Sequence, residues 1–416
     1  MRAQLFIILC TISLLSGCVK HESGQSFLHV DGRYLVNEQG ERFMVRGTNL
    51  GNWLNPEGYM FGFRACNSVG KIHQAFTELI GPEQTDAFWE AFTTNYVTET
   101  DIRLIASTGA NTIRLPFHYK LFTTDQYLGS NSPEEGFRFM DSVITWCGRE
   151  GLYVILDMHD CPAGQTGDNI DDSVGWPWLF RSPKAQEQFI AIWTRIARRY
   201  KNEPVVLGYE LMNEPIAHYF QDSLPALNAE LEPLYIRTVH AIRQEDTKHI
   251  ILLGGAQWNG TFRGVFREDW TGKNVAYACH RYGQSPDSTG IGDFISWRDS
   301  TGICTIMTET GHNTYNWTDS MTRTMEQYEI GYTYWPYKKM GSSSWVGFKA
   351  PENWNLVQEY VESDRSSFAK VRQIRIADHT VSREAIMDFA EQSRLINCTI
   401  DSLYLRAIFH DESCNP

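Results

Sequence analysis

Eight short apolar segments recur along this chain of 416 residues, and stretches with helical spacing separate them. Apolar runs without polar alternation are typical of strands that are covered on both faces, as in a parallel sheet. Eight strand–helix units therefore predict an α/β protein with a single (β/α)₈, or TIM, barrel. A doubly wound sheet is the alternative, but no glycine-rich phosphate loop follows the first segment. The predicted strands are 43–49, 111–117, 153–159, 205–213, 249–255, 275–282, 303–309 and 330–336.

Helical spacing of apolar residues follows the second, third and fourth of these strands, over 132–150, 182–200 and 227–245. The sequence Ser132-Pro133-Glu134-Glu135 predicts a capping box with proline at the first helical position. Alternating residues with turn signals over 30–40 predict a β-hairpin at the bottom of the domain. Helical patterns also continue through 366–416, which we expect to pack on the barrel as a C-terminal extension.

The N-terminal residues have the pattern of an export signal. Met1-Arg2 is followed by an apolar run that is too short to span a bilayer as a mature helix. The run ends in Leu15-Ser16-Gly17-Cys18, which resembles a bacterial lipobox, with an ordinary secretory signal as the alternative. We expect export and lipid anchoring through Cys18 at the cell envelope, on the outer membrane surface or in the periplasm. The predicted organisation is 1–18 signal, 19–26 tether, 27–365 barrel and 366–416 extension.

Composition excludes some classes of partner. The formal net charge is −13, so no basic stripe neutralises nucleic-acid phosphates, and polyanionic substrates are disfavoured. No cysteine or histidine spacing indicates a metal site, and the aspartates near position 170 are more typical of a solvated loop than of a Ca²⁺ site. Cys398 with Cys414 is the most plausible disulfide. We expect no cofactor and no obligatory protein partner, and contact with membrane only through a lipid.

Polar side chains end seven of the eight predicted strands. In a TIM barrel these carboxyl ends carry the active site. Each has a structural alternative: Arg114 as a buried ion-pair partner, His159 as a core histidine, Trp335 as a barrel plug. Seven together are difficult to explain by packing, because buried polar groups cost free energy unless they are paired. The residues are Asn49, Arg114, His159, Asn213, Glu214, His280, Tyr282, Glu309 and Trp335.

Two carboxylates stand out in this set. Glu214 and Glu309 end strands four and seven, which approach the barrel axis from opposing sides. Retaining glycoside hydrolysis needs two carboxyl groups about 5–5.5 Å apart, one as acid/base and the other as nucleophile. The acid must hold its proton near neutral pH, and the nucleophile must stay ionised. Arg114 and Tyr282 are the natural candidates to keep it so.

The ordered motifs resemble glycoside hydrolase family 5, the cellulase-type family of retaining barrels. They are Asn111-Thr112-Ile113-Arg114-Leu115-Pro116, Leu156-Asp157-Met158-His159, Leu211-Met212-Asn213-Glu214-Pro215, His280-Arg281-Tyr282, Glu309-Thr310-Gly311 and Trp335. The resemblance implies Glu214 as general acid/base and Glu309 as nucleophile, held by Arg114 and Tyr282. It further implies that the remaining strand-end residues bind substrate: Asn213 at the sugar 2-hydroxyl, His159 and His280 along the −1 subsite, Trp335 as its hydrophobic platform, and Asn49.

A finer likeness lies after the first strand. Arg46 to Leu54, with Glu57 just beyond, is similar to the first-strand motif of exo-β-1,3-glucanases in that family, where the corresponding Glu binds hydroxyls of the −1 sugar. The sequence departs from the motif at Asn52, where the family has glycine. The 13 tryptophans leave further candidates for sugar platforms, namely Trp53, Trp176 and Trp178.

Together these features predict a retaining glycoside hydrolase acting on a neutral β-glucan, β-glucoside or related β-linked oligosaccharide. Two alternatives stay open. One is a catalytically weak, carbohydrate-binding lipoprotein with a hydrolase-like barrel. The other is a transglycosylase, in which a sugar and not water resolves the glycosyl-enzyme. The sequence distinguishes neither the linkage nor exo from endo action.

Overall fold

A computed structural model describes residues 24–374 and 379–410. The signal segment with Cys18, most of the tether and Cys414 lie outside these described residues. Within them, no helix combines the length and the apolar character needed to cross a membrane. The six cysteines described are all free thiols.

Eight parallel strands close into a barrel, and each corresponds to one of the eight predicted strands, so the (β/α)₈ prediction is confirmed. The strand order around the barrel is β10-β11-β4-β5-β6-β7-β8-β9. Every residue of β5 and β6 is buried, as expected for strands covered on both faces. The barrel strands are β4 Arg46–Asn49, β5 Thr112–His118, β6 Tyr153–Asp160, β7 Val206–Glu210, β8 Ile250–Gly254, β9 Val275–Arg281, β10 Thr305–Gly311 and β11 Gly331–Trp335.

Helices surround the barrel. Ser182 caps α5 by accepting a hydrogen bond from the Ala185 amide, with Pro183 at the first helical position. The helices are α1 Val69–Ile80, α2 Pro82–Tyr96, α3 Glu99–Ser107, α4 Glu135–Glu150, α5 Pro183–Tyr200, α6 Leu224–Arg243, α7 Ala256–Asn259 (one distorted turn), α8 Gly292–Thr301, α9 Tyr315–Gln327, α10 Trp354–Val361, α11 Phe368–Ile374, α12 His379–Gln392 and α13 Ser402–Phe409.

The start of α4 corrects one prediction. The predicted capping box at Ser132 does not form, because the α-helix begins only at Glu135. The Ser132 hydroxyl instead accepts a hydrogen bond from the Glu134 amide at 3.3 Å, and the Ser132 carbonyl accepts one from the Glu135 amide. Ser132 and Pro133 therefore form a turn ahead of the helix.

A three-stranded antiparallel sheet precedes the barrel, made of β1 His29–Asp31, β2 Tyr34–Val36 and β3 Arg42–Phe43. The predicted hairpin is present, but its turn lies at Gly32 and its strands are shorter than the pattern indicated. Leu28 and Leu35 pack against the apolar side chains at the lower end of the barrel interior, in one cluster with Ile155, Leu252 and Ile306. The hairpin thus fills the bottom of the barrel.

The C-terminal residues form part of the same packed body. Helix α12 packs on α1, α2 and α10, and α13 packs on α9. Strand β14 Thr399–Ile400 pairs with β13 Val346–Phe348, which in turn pairs with β12 Lys338–Met340. The fully buried Lys338 ammonium donates to the carbonyls of Tyr96 and Ser393 and forms an ion pair with Asp101. The segment that follows the last barrel strand is therefore held by the end of the chain.

Candidate active site

A cavity of about 590 Å³ lies at the carboxyl ends of the barrel strands. Its walls include seven of the residues that the sequence nominated: Glu57, His159, Glu214, His280, Tyr282, Glu309 and Trp335. Three others, Asn49, Arg114 and Asn213, are fully buried and do not line it. The first seven residues can therefore touch a ligand. The three buried residues hold other side chains in place.

Two carboxylates face each other across the cavity floor. One carboxylate oxygen of Glu214, one of Glu309 and one ring nitrogen of His280 all lie within 4.8 Å of one another. Burial, followed by the charge of Glu309, raises the pKa of Glu214 well above its ordinary value. Burial also raises the pKa of Glu309, but Arg114, His159 and Tyr282 oppose that rise. The shared proton therefore belongs on Glu214 and the negative charge on Glu309.

Direct hydrogen bonds fix Glu309 in its ionised form. Arg114 Nη1 donates to Glu309 Oε1 at 2.6 Å, and the Tyr282 hydroxyl donates to Oε2 at 2.8 Å. Both donors favour the charged carboxylate over the neutral acid. Each oxygen of Glu309 thus has one fixed partner.

Arg114 lies beneath the floor as the centre of a buried polar network and contacts Glu309 as the resemblance implied, so its role is to position Glu309 and not to touch substrate. Its guanidinium is bidentate to Glu210, at 2.7 and 3.0 Å, and lies 3.0 Å from Asp157. Burial alone would lower its pKa, but these carboxylates and Glu309 raise it. With its donors used in this way, Arg114 orients Glu309 from below.

Sequence reasoning missed Asp157 and Glu210. Burial raises the pKa of both carboxyls to about 7, and Arg114 opposes that rise. The available signal was an ionisable residue inside each otherwise apolar run, because such a residue must find a buried partner. Asp157, Glu210 and Glu309 share one guanidinium, so the charges of this network are coupled to the charge of Glu309.

Asn49 is also corrected from substrate binding to positioning. Its side-chain nitrogen lies 3.2 Å from the carbonyls of Thr308, Thr333 and Tyr334, and its oxygen accepts from Arg114 at 3.0 Å. Asn49 thus ties the first, seventh and eighth barrel strands together below the cavity.

Asn213 is held in a similar way. Its oxygen accepts from Arg114 Nη2 at 2.8 Å, and its nitrogen lies 3.3 Å from His159 Nε2. The amide therefore faces protein groups below the cavity, and its contact with the sugar 2-hydroxyl stays a prediction.

A strained turn presents Glu214 to the cavity. Its φ of 45° lies in the left-handed region, which is uncommon outside glycine. The Gln165 amide nitrogen donates to the carbonyls of His159 and Asn213, at 2.8 Å each, and the Thr166 hydroxyl donates to the carbonyl of Glu214. These contacts hold the turn from the loop after β6. Gln165 and Thr166 were not predicted, since their roles depend on loop contacts and not on a strand position.

Each cavity histidine is fixed by a neighbour. His280 Nδ1 bonds to Glu214 Oε1 at 2.8 Å, while Nε2 lies 3.2 Å from the Asn259 amide nitrogen. Nε2 also lies 3.1 Å from the Thr308 hydroxyl, so each ring nitrogen of His280 has a polar partner. His159 Nδ1 bonds to Asp157 at 2.8 Å. Burial lowers the pKa of His280 well below its ordinary value and that of His159 to about 3, so both rings are neutral.

The loop after the first barrel strand supplies a third cavity carboxyl. Burial, then the charges of Glu309 and Asp168, raises the pKa of Glu57 to about 8. The Asn52 oxygen accepts a hydrogen bond from the Glu57 amide at 3.1 Å. Asn52 has a φ of 64°, a left-handed conformation that asparagine adopts more readily than most residues. The departure from glycine at this position therefore preserves the turn that aims Glu57.

The aromatic walls differ in part from those predicted. Trp335 stacks on His159 with a centroid separation of 5.2 Å, and its indole N–H donates to the Tyr59 hydroxyl. Trp53 is a correction: it is buried in the core, where its indole N–H donates to the carbonyl of Thr93. Trp258 lines the cavity and was missed, because it follows the fifth strand in a left-handed turn that no strand pattern indicates.

Trp176 and Trp178 also lie outside the walls of this cavity. Trp176 packs edge-on against Phe220 at 4.9 Å, and Trp178 lines a separate cavity nearby. If these two rings are sugar platforms, as predicted, they serve a part of the surface outside this cavity.

The arrangement was compared with known proteins. Residues 73–341 match the family model described as cellulase, glycosyl hydrolase family 5, so the chain belongs to that family. It is 31% identical over 258 residues to a β-xylosidase of Phanerodontia chrysosporium, covering 62% of this chain and 52% of the relative. It is 31% identical over 236 residues to endoglucanase C of Acetivibrio thermocellus, covering 57% of each.

A probable glucan 1,3-β-glucosidase A of Aspergillus clavatus is 27% identical over 289 residues, covering 66% of this chain and 63% of the relative. The chain thus spans between 52% and 63% of the length of these curated relatives. Among solved structures, rutinosidase from Aspergillus niger superposes with a TM-score of 0.59 at 16% identity, covering 77% of this chain and 98% of that one. At that identity the likeness shows the barrel fold.

Proposed function

We propose that this protein is a retaining glycoside hydrolase that cleaves β-linked, uncharged saccharides. The observation that carries the proposal is the approach of the two carboxylates, with oxygens of Glu214 and Glu309 within 4.8 Å. That approach suits direct attack by a carboxylate, whereas inverting enzymes hold their carboxyl groups about 6.5–9.5 Å apart to admit a water.

In the first step, Glu309 attacks the anomeric carbon while Glu214 protonates the departing oxygen. His280 Nδ1 lies 2.8 Å from Oε1 of Glu214, so Oε2 is the oxygen that remains to protonate the leaving group. In the second step Glu214, now ionised, takes a proton from water, and that water displaces Glu309 from the sugar. In the first step Glu214 gains a negative charge and Glu309 loses one. This fits the starting states that their surroundings favour, protonated for Glu214 and ionised for Glu309.

The remaining walls suit a neutral sugar. The Trp335 indole offers an apolar face, and the protonated Glu57 carboxyl offers both a donor and an acceptor to a hydroxyl. The named relatives are a xylosidase, an endoglucanase and a 1,3-glucosidase, which supports a β-linked substrate of gluco- or xylo-configuration without choosing one linkage. Transglycosylation uses the same first step, and only product analysis separates it from hydrolysis.

The experiment replaces the nucleophile with glycine. Glu309→Gly should lose nearly all turnover of an aryl β-glycoside, and azide should restore part of it by giving the α-glycosyl azide. Glu268→Gly, at an exposed ion pair far from the cavity, is the matched control and should keep activity. Near-normal hydrolysis by Glu309→Gly would reject the proposal. Complete loss of wild-type activity on treatment with EDTA would reject it too. The latter outcome would instead assign the Glu214, His280 and Glu309 cluster to a metal ion.

The proposed location is the bacterial envelope, with a lipid on Cys18. The support is the lipobox pattern alone. Detergent phase separation of the expressed protein tests it: the wild-type chain should enter the detergent phase, and Cys18→Ser should not. Equal partition of the two proteins would favour an ordinary secretory signal.

A further inference from the structure

A second cavity, of about 390 Å³, lies beside the catalytic one, and we call it the loop cavity. It is bounded by the end of β5, the end of β6 and the loop 161–182. Ile170 of this loop lines the catalytic cavity, whereas Asp171 and Asp172 line the loop cavity. The loop is thus a wall shared by two separate spaces.

Asp160 lies at the base of the loop cavity. It follows His159 on β6, and since successive strand residues point to opposite faces, His159 faces the catalytic cavity and Asp160 faces the other. Asp160 is 1% exposed, and its Oδ2 lies 2.9 Å from His118 Nε2. That contact does not have hydrogen-bond geometry, so neither carboxylate oxygen of Asp160 makes a hydrogen bond among the described residues. A buried polar atom that faces a cavity without a partner is the kind of group that a ligand satisfies.

A cation does not fit this cavity. Both oxygens of Asp171 accept hydrogen bonds from backbone amides of its own loop, and Asp172 is engaged by the Gly70 amide and by Lys120. Among the residues that the structure describes, the one group of carboxylates and histidines close enough to hold a metal is in the catalytic cavity. Burial also raises the pKa of Asp160 well above its ordinary value, which favours a neutral carboxyl.

The mouth of the loop cavity carries an accessible indole. Trp178 lines the cavity and is 48% exposed, although large aromatic side chains are usually buried. A flat aromatic face and a carboxyl that can both donate and accept, lining one cavity, can together recognise a sugar ring by C–H contact and by hydroxyl hydrogen bonding.

We propose that the loop cavity binds one ring of a neutral saccharide, with Trp178 against its apolar face and Asp160 bonded to a hydroxyl. This site is distinct from the catalytic cavity and would hold a polysaccharide near it. Its existence does not require that Glu214 and Glu309 perform hydrolysis, so the two proposals can fail separately.

The test is affinity electrophoresis in native gels that contain a soluble polysaccharide: mixed-linkage β-glucan, xylan or galactomannan. All proteins carry Glu309→Gln so that the gel matrix is not consumed. Adding Trp178→Ala should weaken the retardation by at least one polysaccharide. The apparent Kd for that polysaccharide should rise about 2- to 12-fold, the range for one aromatic contact. Tyr315→Ala, at another exposed aromatic residue, is the matched control and should not change retardation.

A second measurement separates this site from catalysis. In the otherwise wild-type enzyme, Trp178→Ala should leave kcat/KM for a small aryl glycoside unchanged, because that substrate occupies only the catalytic cavity. Retardation unaltered by Trp178→Ala, or absent for all three polysaccharides, would overturn the proposal. An equal loss of aryl glycoside turnover would overturn it too, by placing Trp178 in the catalytic cavity.

Discussion

Replacing Tyr282 with phenylalanine removes a single hydrogen bond, from the phenol hydroxyl to Glu309 Oε2 at 2.8 Å. A hydrogen bond to a charged group is worth about 1.5–3 kcal/mol. If the bond stabilises the transition state by that amount relative to the free enzyme, its loss lowers kcat/KM by about 10- to 150-fold, at about 1.4 kcal/mol for each factor of ten. Arg114 still holds Oε1, so activity should fall without vanishing.

The pH profile gives the sharper measurement. The Tyr282 hydroxyl lowers the pKa of Glu309, so its removal lets that pKa rise. Because the reaction needs ionised Glu309, activity is lost as pH falls through this pKa, and the acid limb of the kcat/KM profile should move to higher pH. Tyr59→Phe is a control, since it breaks a hydrogen bond to Trp335 instead and should leave that limb in place. An acid limb unmoved in Tyr282→Phe would refute the assigned role of the phenol.

Three further predictions concern other buried groups. Glu214→Ala should spare aryl glycosides with activated leaving groups far more than natural glycosides, because the former need no acid; equal loss on both would count against the acid role. The pKa of Glu57 lies at about 8 in the folded chain against an ordinary 4.5, so its ionisation costs stability as pH rises through that window. Glu57→Gln should therefore raise Tm at pH 8 and not at pH 4, and thermal scans showing an equal change at both would contradict this. Lys338→Met should leave Asp101 buried without its cation and lower the free energy of unfolding, measured in urea, by about 3–5 kcal/mol. A loss under about 1 kcal/mol would make the pair no stronger than a surface salt bridge.

The barrel was predictable because each strand has a local signature. Burial on both faces requires a continuous apolar run, and the strand bounds differ from those runs by a few residues at most ends. The position of Glu309 was predictable for the same reason, since it lies within β10, whereas Glu214 lies four residues beyond β7, in a left-handed turn. The hairpin turn at Gly32 and the start of α4 at Glu135 were less accurate, because turn residues permit several local geometries.

The sequence could not predict how far each polar residue lies below the cavity floor. Asn49 and Glu57 are eight positions apart, yet one binds three carbonyls in the barrel interior while the other lines the cavity. That difference arises from the turn at Asn52 and from strands that are distant along the chain. The same applies to Trp53, whose packing against Phe139 of α4 depends on how the loop after the first strand folds back.

The burial of Lys338 also has a consequence for how the chain is made. Its ammonium is satisfied by Ser393, and β13 gains its outer partner from Thr399 and Ile400, all close to the C-terminus of the 416-residue sequence. During synthesis the eight barrel strands emerge before residues 393–400. Until those residues are made, the Lys338 ammonium lacks one of its acceptors, the Ser393 carbonyl. A missing acceptor of this kind costs about 1–3 kcal/mol. The packing of the segment after Trp335 is thereby coupled to the synthesis of residues 393–400, more than 50 residues further along the chain.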